Sequence, residues 1–287
     1  MFFFLRLILF TIFTGVIYAE QTSIVLMAEE NSPALNKLYK KMQAIAPQYK
    51  YAISTESSPL EIKSNDFVIL VGAKVPRYFN MIRHKRSIGV LVTQQQALEL
   101  KTQTSIWVEP PLSRQLKLAD LVVPGDQKMG LLVSSEKNKI EQLSRLNTAQ
   151  KEMLKVVNLS DYENINQALF NVLKGTRLLL GSYDSRIYNA KNIKNILITS
   201  YRQQKVLIGP SRAYLKAGSL TTTFSDLNHV AQRILEVISE FQQYGVWLSP
   251  GYNPYYRILS NQQVARSLNI RVLNNELLEQ QMREPSL

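Results

Sequence analysis

The chain has 287 residues with 34 Lys and Arg against 22 Asp and Glu, a formal net charge of +12, and no Cys. The lack of Cys excludes a disulfide framework, a thiolate metal site and a cysteine nucleophile. The basic residues are scattered, without the interleaved aromatics of a single-strand nucleic-acid groove, so we expect a solvated basic surface and no nucleic-acid partner, with binding of an anionic ligand or membrane surface as the alternative.

The first 19 residues form an apolar segment with one early charge. Arg6 precedes the apolar core, and the small residue Ala19 precedes Glu20. This arrangement is typical of a secretory signal peptide, so we expect residues 1–19 to be cleaved and the mature protein to be periplasmic. The alternative is an uncleaved membrane anchor, although a span needs about 20 apolar residues. Because a lipoprotein carries its lipid on a Cys at the cleavage site, this chain is not expected to be one.

In the first half of the mature chain, apolar runs alternate with helical patterns, which is typical of a parallel sheet covered by helices. Helices are predicted after Ser32-Pro33, from Pro76 to about His84, and over Gln94–Lys101. The predicted strands are Ser23–Ala28, Lys50–Ser54, Phe67–Val71, Ile88–Val92 and Ser105–Val108.

After the pause at Glu109-Pro110-Pro111 comes the helical segment Leu112–Val123, and a second series of similar units begins at the predicted strand Met129–Val133. The further predicted helices are Lys137–Gln150, Tyr162–Lys174, Ala190–Gln204, Asp226–Phe241, Gln262–Leu268 and a last one from Asn274. The further predicted strands are Lys155–Leu159, Arg177–Leu180, Val206–Ile208 and Tyr256–Leu259, and the segment Leu220–Phe224 lies between the last two. Each series is long enough for its own sheet, so we predict an α/β fold of two doubly wound parallel-sheet lobes joined by a hinge.

The residues that could support catalysis are few. Neither His84 nor His229 has a partner at metal-ligand spacing, and the segment around Ser211 lacks the last Gly of a nucleophile elbow. An acid pair of the glycosidase type is the alternative, but spacing does not show that any two strand-end carboxylates meet. We therefore predict a protein that is not an enzyme, with no catalytic residues, no metal and no cofactor.

Polar residues follow several predicted strands, where ligands bind in open α/β sheets. Asp184 is suited to pair with an ammonium group or to accept from a hydroxyl, with a capped turn as the alternative. For each Ser or Thr the alternative is a helix N-cap, and for Tyr183 it is a core position. The predicted ligand-binding residues are Ser32, Gly72, Lys74, Thr93, Glu109, Ser134, Ser182, Tyr183, Asp184 and Ser211.

Three stretches, Ser105–Leu118, Leu197–Leu220 and Tyr256–Leu268, occur in an order similar to that of the ABC transporter solute-binding proteins with the type I two-lobed periplasmic fold. The resemblance covers essentially the whole mature chain. It implies two lobes hinged by several crossings and closing on a small molecule, with Asp184 in the ligand loop of the second lobe. The implied boundaries are residues 20–118 with 219–250 for the first lobe and 119–218 with 251–287 for the second.

The loop Gly72–Pro76 departs from the family because it lacks the Thr-Pro pair frequent in its amino-acid binders, which argues against an amino-acid ligand. The resemblance implies a monomeric periplasmic protein that captures a small polar ligand for an ABC importer, with an inner-membrane permease as partner. The alternative is an envelope sensory or scaffold protein of the same fold that engages a membrane signalling or secretion partner.

Overall fold

The computed structural model of the chain describes residues 22–77, 79, 86–271 and 274–283. The expected signal peptide, residues 1–19, lies outside the described residues, as does most of the helix expected from Pro76 to His84. In the described ranges the backbone forms two α/β lobes, each built on one sheet of six strands. None of the helices in these ranges combines the length and the apolar character that a membrane span requires.

The strands of the first lobe are β1 (Ser23–Ala28), β2 (Lys50–Thr55), β3 (Phe67–Val71), β4 (Ser87–Val92), β5 (Thr104–Trp107) and β11 (Gly251–Tyr252). They form an all-parallel sheet in the spatial order β11-β5-β4-β3-β1-β2. The helices of this lobe are α1 (Pro33–Ile45), α2 (Gln94–Leu100) and α9 (Leu227–Tyr244). All five residues of β3 are buried, as the unbroken apolar run predicts for a central strand.

One face of this sheet is covered by α1 and α9, which bury Leu38, Met42 and Ile234 against Ile24 and Ile69. The opposite face carries a smaller cluster that includes Phe79. Residues 56–66, between β2 and β3, contain no helix, as the shortness of this link predicts.

The strands of the second lobe are β6 (Lys128–Val133), β7 (Leu154–Asn158), β8 (Thr176–Leu180), β9 (Val206–Ile208), β10 (Thr221–Phe224) and β12 (Arg257–Ser260). They form a sheet in the order β12-β10-β9-β8-β6-β7, in which β12 is antiparallel to β10 and the other pairs are parallel. The helices of this lobe are α3 (Leu112–Val122), α4 (Glu136–Leu143), α5 (Thr148–Glu152), α6 (Ile165–Leu173), α7 (Ile193–Arg202), α8 (Arg212–Ala217), α10 (Gln262–Ser267) and α11 (Asn275–Arg283).

Helices pack on both faces of this second sheet. On one face α3, α10 and α11 contribute Leu116, Ala265 and Leu278 to the core. On the other face α6 and α7 contribute Leu169 and Ile196. The sheet is therefore the middle of three layers, as expected for a doubly wound lobe.

The helix predicted over Lys137–Gln150 is two helices, α4 and α5. Asn147 begins the second one, because its side chain accepts a hydrogen bond from the backbone N–H of Gln150 while the Gln150 side chain accepts from the N–H of Asn147. This capping box satisfies two backbone donors at a new helix start. A sequence pattern that counts only apolar spacing passes over such a break.

The chain passes between the two sheets after β5, after β10 and between β11 and β12. The lobe limits expected from the sequence differ from this. Residues 221–224, expected in the first lobe, pair with β9 and β12 of the second, because Thr221 is in register with both Ile208 and Ser260. Likewise α3 packs in the second core, and Gly251–Tyr252 pairs with β5 of the first sheet.

Candidate functional site

A cleft of about 780 Å³, including space open to solvent, lies where loops from both lobes meet. The first lobe contributes residues that follow β4 and β5, and the second contributes residues that follow β8 and β9 together with one face of α4. The lining of the cleft includes Thr93, Gln94, Glu109, Asn138, Glu141, Gln142, Ser182, Tyr183, Asp184 and Tyr252. An adjoining pocket shares Thr93, Ser182 and Tyr183 with the cleft and adds Glu99, Ser211 and Tyr214.

Six of the predicted ligand-binding residues line these two pockets, which places them together across the interlobe space. Five of them, Thr93, Glu109, Ser182, Tyr183 and Asp184, line the cleft. The sixth, Ser211, lines the adjoining pocket. A direct role of each in ligand binding stays a prediction.

The other four predicted residues are not among those that line the two pockets. Ser32 caps helix α1 by accepting from the N–H of Leu35, and Gly72 lies after β3 with a φ of 90°. Lys74 Nζ lies 3.3 Å from the Glu29 carboxylate, and both side chains are exposed. Ser134 lies behind the cleft wall, where its backbone N–H donates to Asp184.

Glu109 follows strand β5, and its two carboxylate oxygens differ in their surroundings. Oε1 accepts a hydrogen bond of 2.6 Å from the backbone N–H of Gln94, at the start of α2. Oε2 is buried and has no hydrogen-bond partner among the described residues. Burial raises the pKa of Glu109, and the charge of Glu141 adds to this, whereas the Gln94 hydrogen bond, the backbone N–H of Glu109 itself and the charge of Arg145 oppose it. This carboxyl group therefore has a free acceptor in a partly desolvated site.

Asp184 lies in the loop after β8, and both of its oxygens are occupied. Oδ2 accepts from the Ser134 N–H at 2.8 Å and from the Asn138 side-chain amide at 2.9 Å. Oδ1 accepts from the Arg186 N–H at 3.2 Å, and the side chain is buried. These hydrogen bonds connect the loop after β8 to the start of α4. Asp184 is thus held in a capped turn, which the sequence analysis gave as the alternative to ligand binding.

Tyr183 brings a second-lobe side chain close to the first lobe. Its hydroxyl lies near the Ser211 side chain, and the residue is 37% exposed. Burial of the hydroxyl, with the charge of Glu109, raises the pKa of Tyr183 to about 12. The phenol thus stays protonated at neutral pH, and its ring forms an aromatic surface in the cleft.

The α4 wall was missed by the sequence analysis. Gln142 donates to Ser182 Oγ at 3.3 Å, and its Oε1 is buried without a partner among the described residues. Asn138, Glu141 and Gln142 are spaced three and four residues apart, which places them on one helix face. That spacing, in a helix that starts directly after a strand, was the signal available in the sequence.

Tyr252 was also missed, because β11 is a strand of only two residues. Its ring meets Trp107 edge-on at 4.9 Å between ring centroids. The exposed Arg145 of the second lobe places its guanidinium 4.5 Å from the Trp107 ring and 5.2 Å from the Tyr252 ring. The two lobes are therefore in contact through a cation–π cluster at the edge of the cleft.

The three crossings between the lobes are bonded to one another. Arg114, at the start of α3, donates to the Asn253 carbonyl at 2.9 Å and stacks on Tyr256 at 4.1 Å. The Ser225 hydroxyl donates to the Tyr255 carbonyl at 2.6 Å. Burial lowers the pKa of Arg114 to about 10, so the guanidinium stays charged at neutral pH. These contacts connect the three crossing segments to one another, at the place where a hinge between the lobes is expected.

No protein-family model and no curated protein matches the sequence. Among solved structures, the ligand-free, open form of a substrate-binding protein with adhesive properties from Clostridium difficile aligns with a TM-score of 0.65 at 12% identity over 89% of this chain and 97% of that one. An ABC domain from Streptococcus pneumoniae in complex with L-Trp aligns with a TM-score of 0.52 at 16% identity over 90% and 97% of the two chains.

A conserved domain protein from Vibrio cholerae aligns with a TM-score of 0.53 at 14% identity, over 90% of this chain and 97% of that one. At these identities the likeness concerns the fold alone. It shows that this chain has the two-lobed α/β architecture of solved ABC substrate-binding proteins, as the sequence resemblance implied.

Proposed function

We propose that this protein captures a small polar solute in the cleft between its lobes and delivers it to an ABC importer. The observation that carries the proposal is the cleft itself, in which polar side chains from the ends of β5 and β8 converge from opposite lobes. Small-molecule sites are few in a protein and are commonly found at such interdomain positions. The two-lobed fold shared with solved substrate-binding proteins supports the same function.

The mechanism follows from the division of the site between two bodies. A solute that contacts Glu109 on one lobe and Tyr183 on the other gains more contacts when the lobes approach. It therefore binds the closed state more tightly and shifts the population toward it by that difference in affinity. The tied crossings around Arg114 and Asn253 let the lobes rotate about one edge of the cleft. We propose that the closed monomer then docks on a permease of the inner membrane, after export to the periplasm.

A solute screen on residues 20–287 tests the binding part of this proposal. Thermal unfolding would be followed with amino acids, sugars, nucleosides, organic acids and amines. A solute present at about 100 times its dissociation constant stabilises a protein by about 2.7 kcal/mol. Stabilisation by at least one solute is expected, and no stabilisation by any of them contradicts the proposal.

The identity of the partner separates transport from the alternative of an envelope sensor. Genes for a permease and an ATPase beside the gene for this chain are the expected result. Genes for a histidine kinase or a cyclic-nucleotide enzyme in their place would favour sensing by the same cleft.

A further inference from the structure

The cleft and its adjoining pocket have a charge opposite to that of the whole molecule. The chain carries a net charge of +12. Yet among the described residues that line the two pockets there is no Lys, Arg or His. The charged residues in the lining are all acidic, namely Glu99, Glu109, Glu141 and Asp184. The acidic lining of the cleft therefore disfavours the binding of an anionic solute, although the protein as a whole is basic.

Glu109 supplies the specific contact. An ionised carboxylate only accepts hydrogen bonds, and Oε2 has no donor among the described residues although it is buried. A buried charged acceptor without a donor lowers the stability of the folded state. A solute that donates an N–H group to Oε2 would satisfy this acceptor and would be bound more tightly for that reason. Gln142 Oε1 is a second buried acceptor in the same lining. The side-chain amide of Gln142 is neutral and can turn to present either its oxygen or its NH2 group. The charge of the site is therefore set by the carboxylates.

The charged neighbours of Glu109 come from the second lobe. Glu141 on α4 raises its pKa through charge repulsion, and Arg145, just beyond α4, lowers it by a smaller effect. Arg145 is exposed and lies over Trp107 and Tyr252, and it does not line the cleft. The cleft therefore keeps its negative character with Arg145 in place.

The aromatic side chains of the cleft suit the same kind of solute. The rings of Tyr183 and Tyr252 line it, and an aromatic face attracts a cation within about 6 Å of its centroid. Arg145 over the Trp107 ring shows that a guanidinium already sits at the edge of this aromatic surface.

We infer that the solute is a small organic cation, an amine or a guanidine, whose N–H groups donate to Glu109 Oε2 and whose charge lies against the acidic and aromatic lining. This inference rests on the proposed function and names the chemical class of its solute. An ammonium or guanidinium group brings both the donors and the charge that the lining lacks. A carboxylate or phosphate solute would bring a third or fourth negative charge beside Glu109 and Glu141.

Pairs of solutes with one skeleton and different charge test the inference by thermal unfolding of residues 20–287. Tyramine is compared with neutral tyrosol and with 3-(4-hydroxyphenyl)propionate, and putrescine and agmatine are compared with succinate. We expect at least one of the three cations to raise the melting temperature, while its anionic counterpart, and for tyramine also the neutral tyrosol, raises it less or not at all. An anion that stabilises the protein more than every cation overturns the inference.

Matched variants then locate the contact. Glu109→Gln keeps the shape and one acceptor oxygen but removes the charge, so calorimetry should show an affinity for the stabilising cation that is about tenfold lower or worse. Glu152→Gln is the control, because Glu152 is exposed and is not among the lining residues. Equal affinities of Glu109→Gln and Glu152→Gln would overturn the assignment of Oε2.

The same measurements distinguish a failure of this inference from a failure of the proposed function on which it rests. If anions or neutral solutes stabilise the protein and no cation does, the cleft binds solutes and the inference fails alone. If none of these solutes and none of the broader screen stabilises it, both fail.

Discussion

Two carboxylates face the same cleft from opposite lobes, and they differ in how fully their oxygens are hydrogen-bonded. Asp184, on the second lobe, accepts from Ser134, Asn138 and Arg186. Glu109, on the first lobe, accepts from Gln94 and keeps a buried oxygen free of partners among the described residues. Both residues follow a strand whose neighbours in the sheet are parallel to it, so their position in the fold does not account for the difference.

A strand-end carboxylate whose oxygens are all hydrogen-bonded can support the site, whereas one with a free oxygen has an acceptor left for a solute. The bonds of Asp184 hold the β8 loop against α4 and so shape one wall. The free oxygen of Glu109 is retained at a cost in stability, and such costs are common where a protein binds a ligand. The second-lobe carboxylate is thus fully hydrogen-bonded, whereas the first-lobe carboxylate carries an unmet acceptor.

The largest expected effect comes from removing the carboxylate of the second-lobe wall. Asp184→Ala leaves two backbone N–H groups and the Asn138 amide without their acceptor, and each unsatisfied buried group is costly. We expect a loss of about 2–4 kcal/mol in the free energy of unfolding, measured by urea denaturation. Asp126→Ala, at an exposed turn, is the control and should stay within about 0.5 kcal/mol of the parent. Equal stability of the two variants would show that Asp184 does not hold the wall.

A smaller loss in the free energy of unfolding is expected at Arg114, in the crossings that join the two lobes. Arg114→Lys removes the planar stack on Tyr256 and changes the hydrogen bond to the Asn253 carbonyl. We expect a loss of about 1–2 kcal/mol by the same denaturation measurement. Lys117→Arg on the same helix is the comparison, because it keeps a cation. An unchanged stability of Arg114→Lys would mean that this contact does not fasten the crossing.

Replacing the first-lobe carboxylate, Glu109, should raise the stability of the folded protein at pH 7, whereas replacing Asp184 should lower it. Burial raises the pKa of Glu109 above its ordinary value, so its ionised form destabilises the folded state, and that effect grows as pH rises through the folded pKa. Glu109→Gln lacks this titration and should therefore melt at a higher temperature than the parent at pH 7. The difference should shrink as pH falls toward 4. A lower melting temperature of the variant at pH 7 would indicate that Glu109 is a supporting carboxylate like Asp184.

The smallest effect is expected at Tyr183, which contacts solvent as well as Ser211. Tyr183→Phe should change the free energy of unfolding by about 0.5 kcal/mol or less at pH 7. Burial raises the pKa of Tyr183 from 10.0 to about 12, so the protonated form is favoured in the folded state. The stability that this provides is present below pH 10 and is lost as pH rises toward 12. The variant should lose less stability over that interval, and equal losses would show that the hydroxyl is not desolvated.

Much of the architecture could be predicted from local sequence. The apolar run Phe67–Val71 is a buried central strand, and Ser32 caps the first helix, because both features depend on residues close in the chain. The split at Asn147 also had a local cause, and the sequence analysis missed it. By contrast, β11 is a strand only through its pairing with β5, and the return crossing follows β10 because Thr221 pairs with Ser260, 39 positions away.

The candidate site could be predicted only to the level of which loops form it. Asp184 and Glu109 look alike in the sequence, since each follows an apolar strand. They differ through donors placed by folding: Ser134 lies 50 positions from Asp184, and Gln94 lies 15 positions from Glu109. No spacing rule predicts which oxygen those donors leave free.

A titration of the Glu109 side-chain carboxyl carbon by NMR shows whether a bound cation lies beside Oε2. It would be measured in the free protein and in the presence of whichever of tyramine, putrescine or agmatine raises the melting temperature most. We expect a pKa above the ordinary value for Glu in the free protein, and a lower pKa once the cation is bound, because a positive charge beside Oε2 favours the ionised form. A Glu109 pKa that the cation leaves unchanged or raises would contradict this expectation.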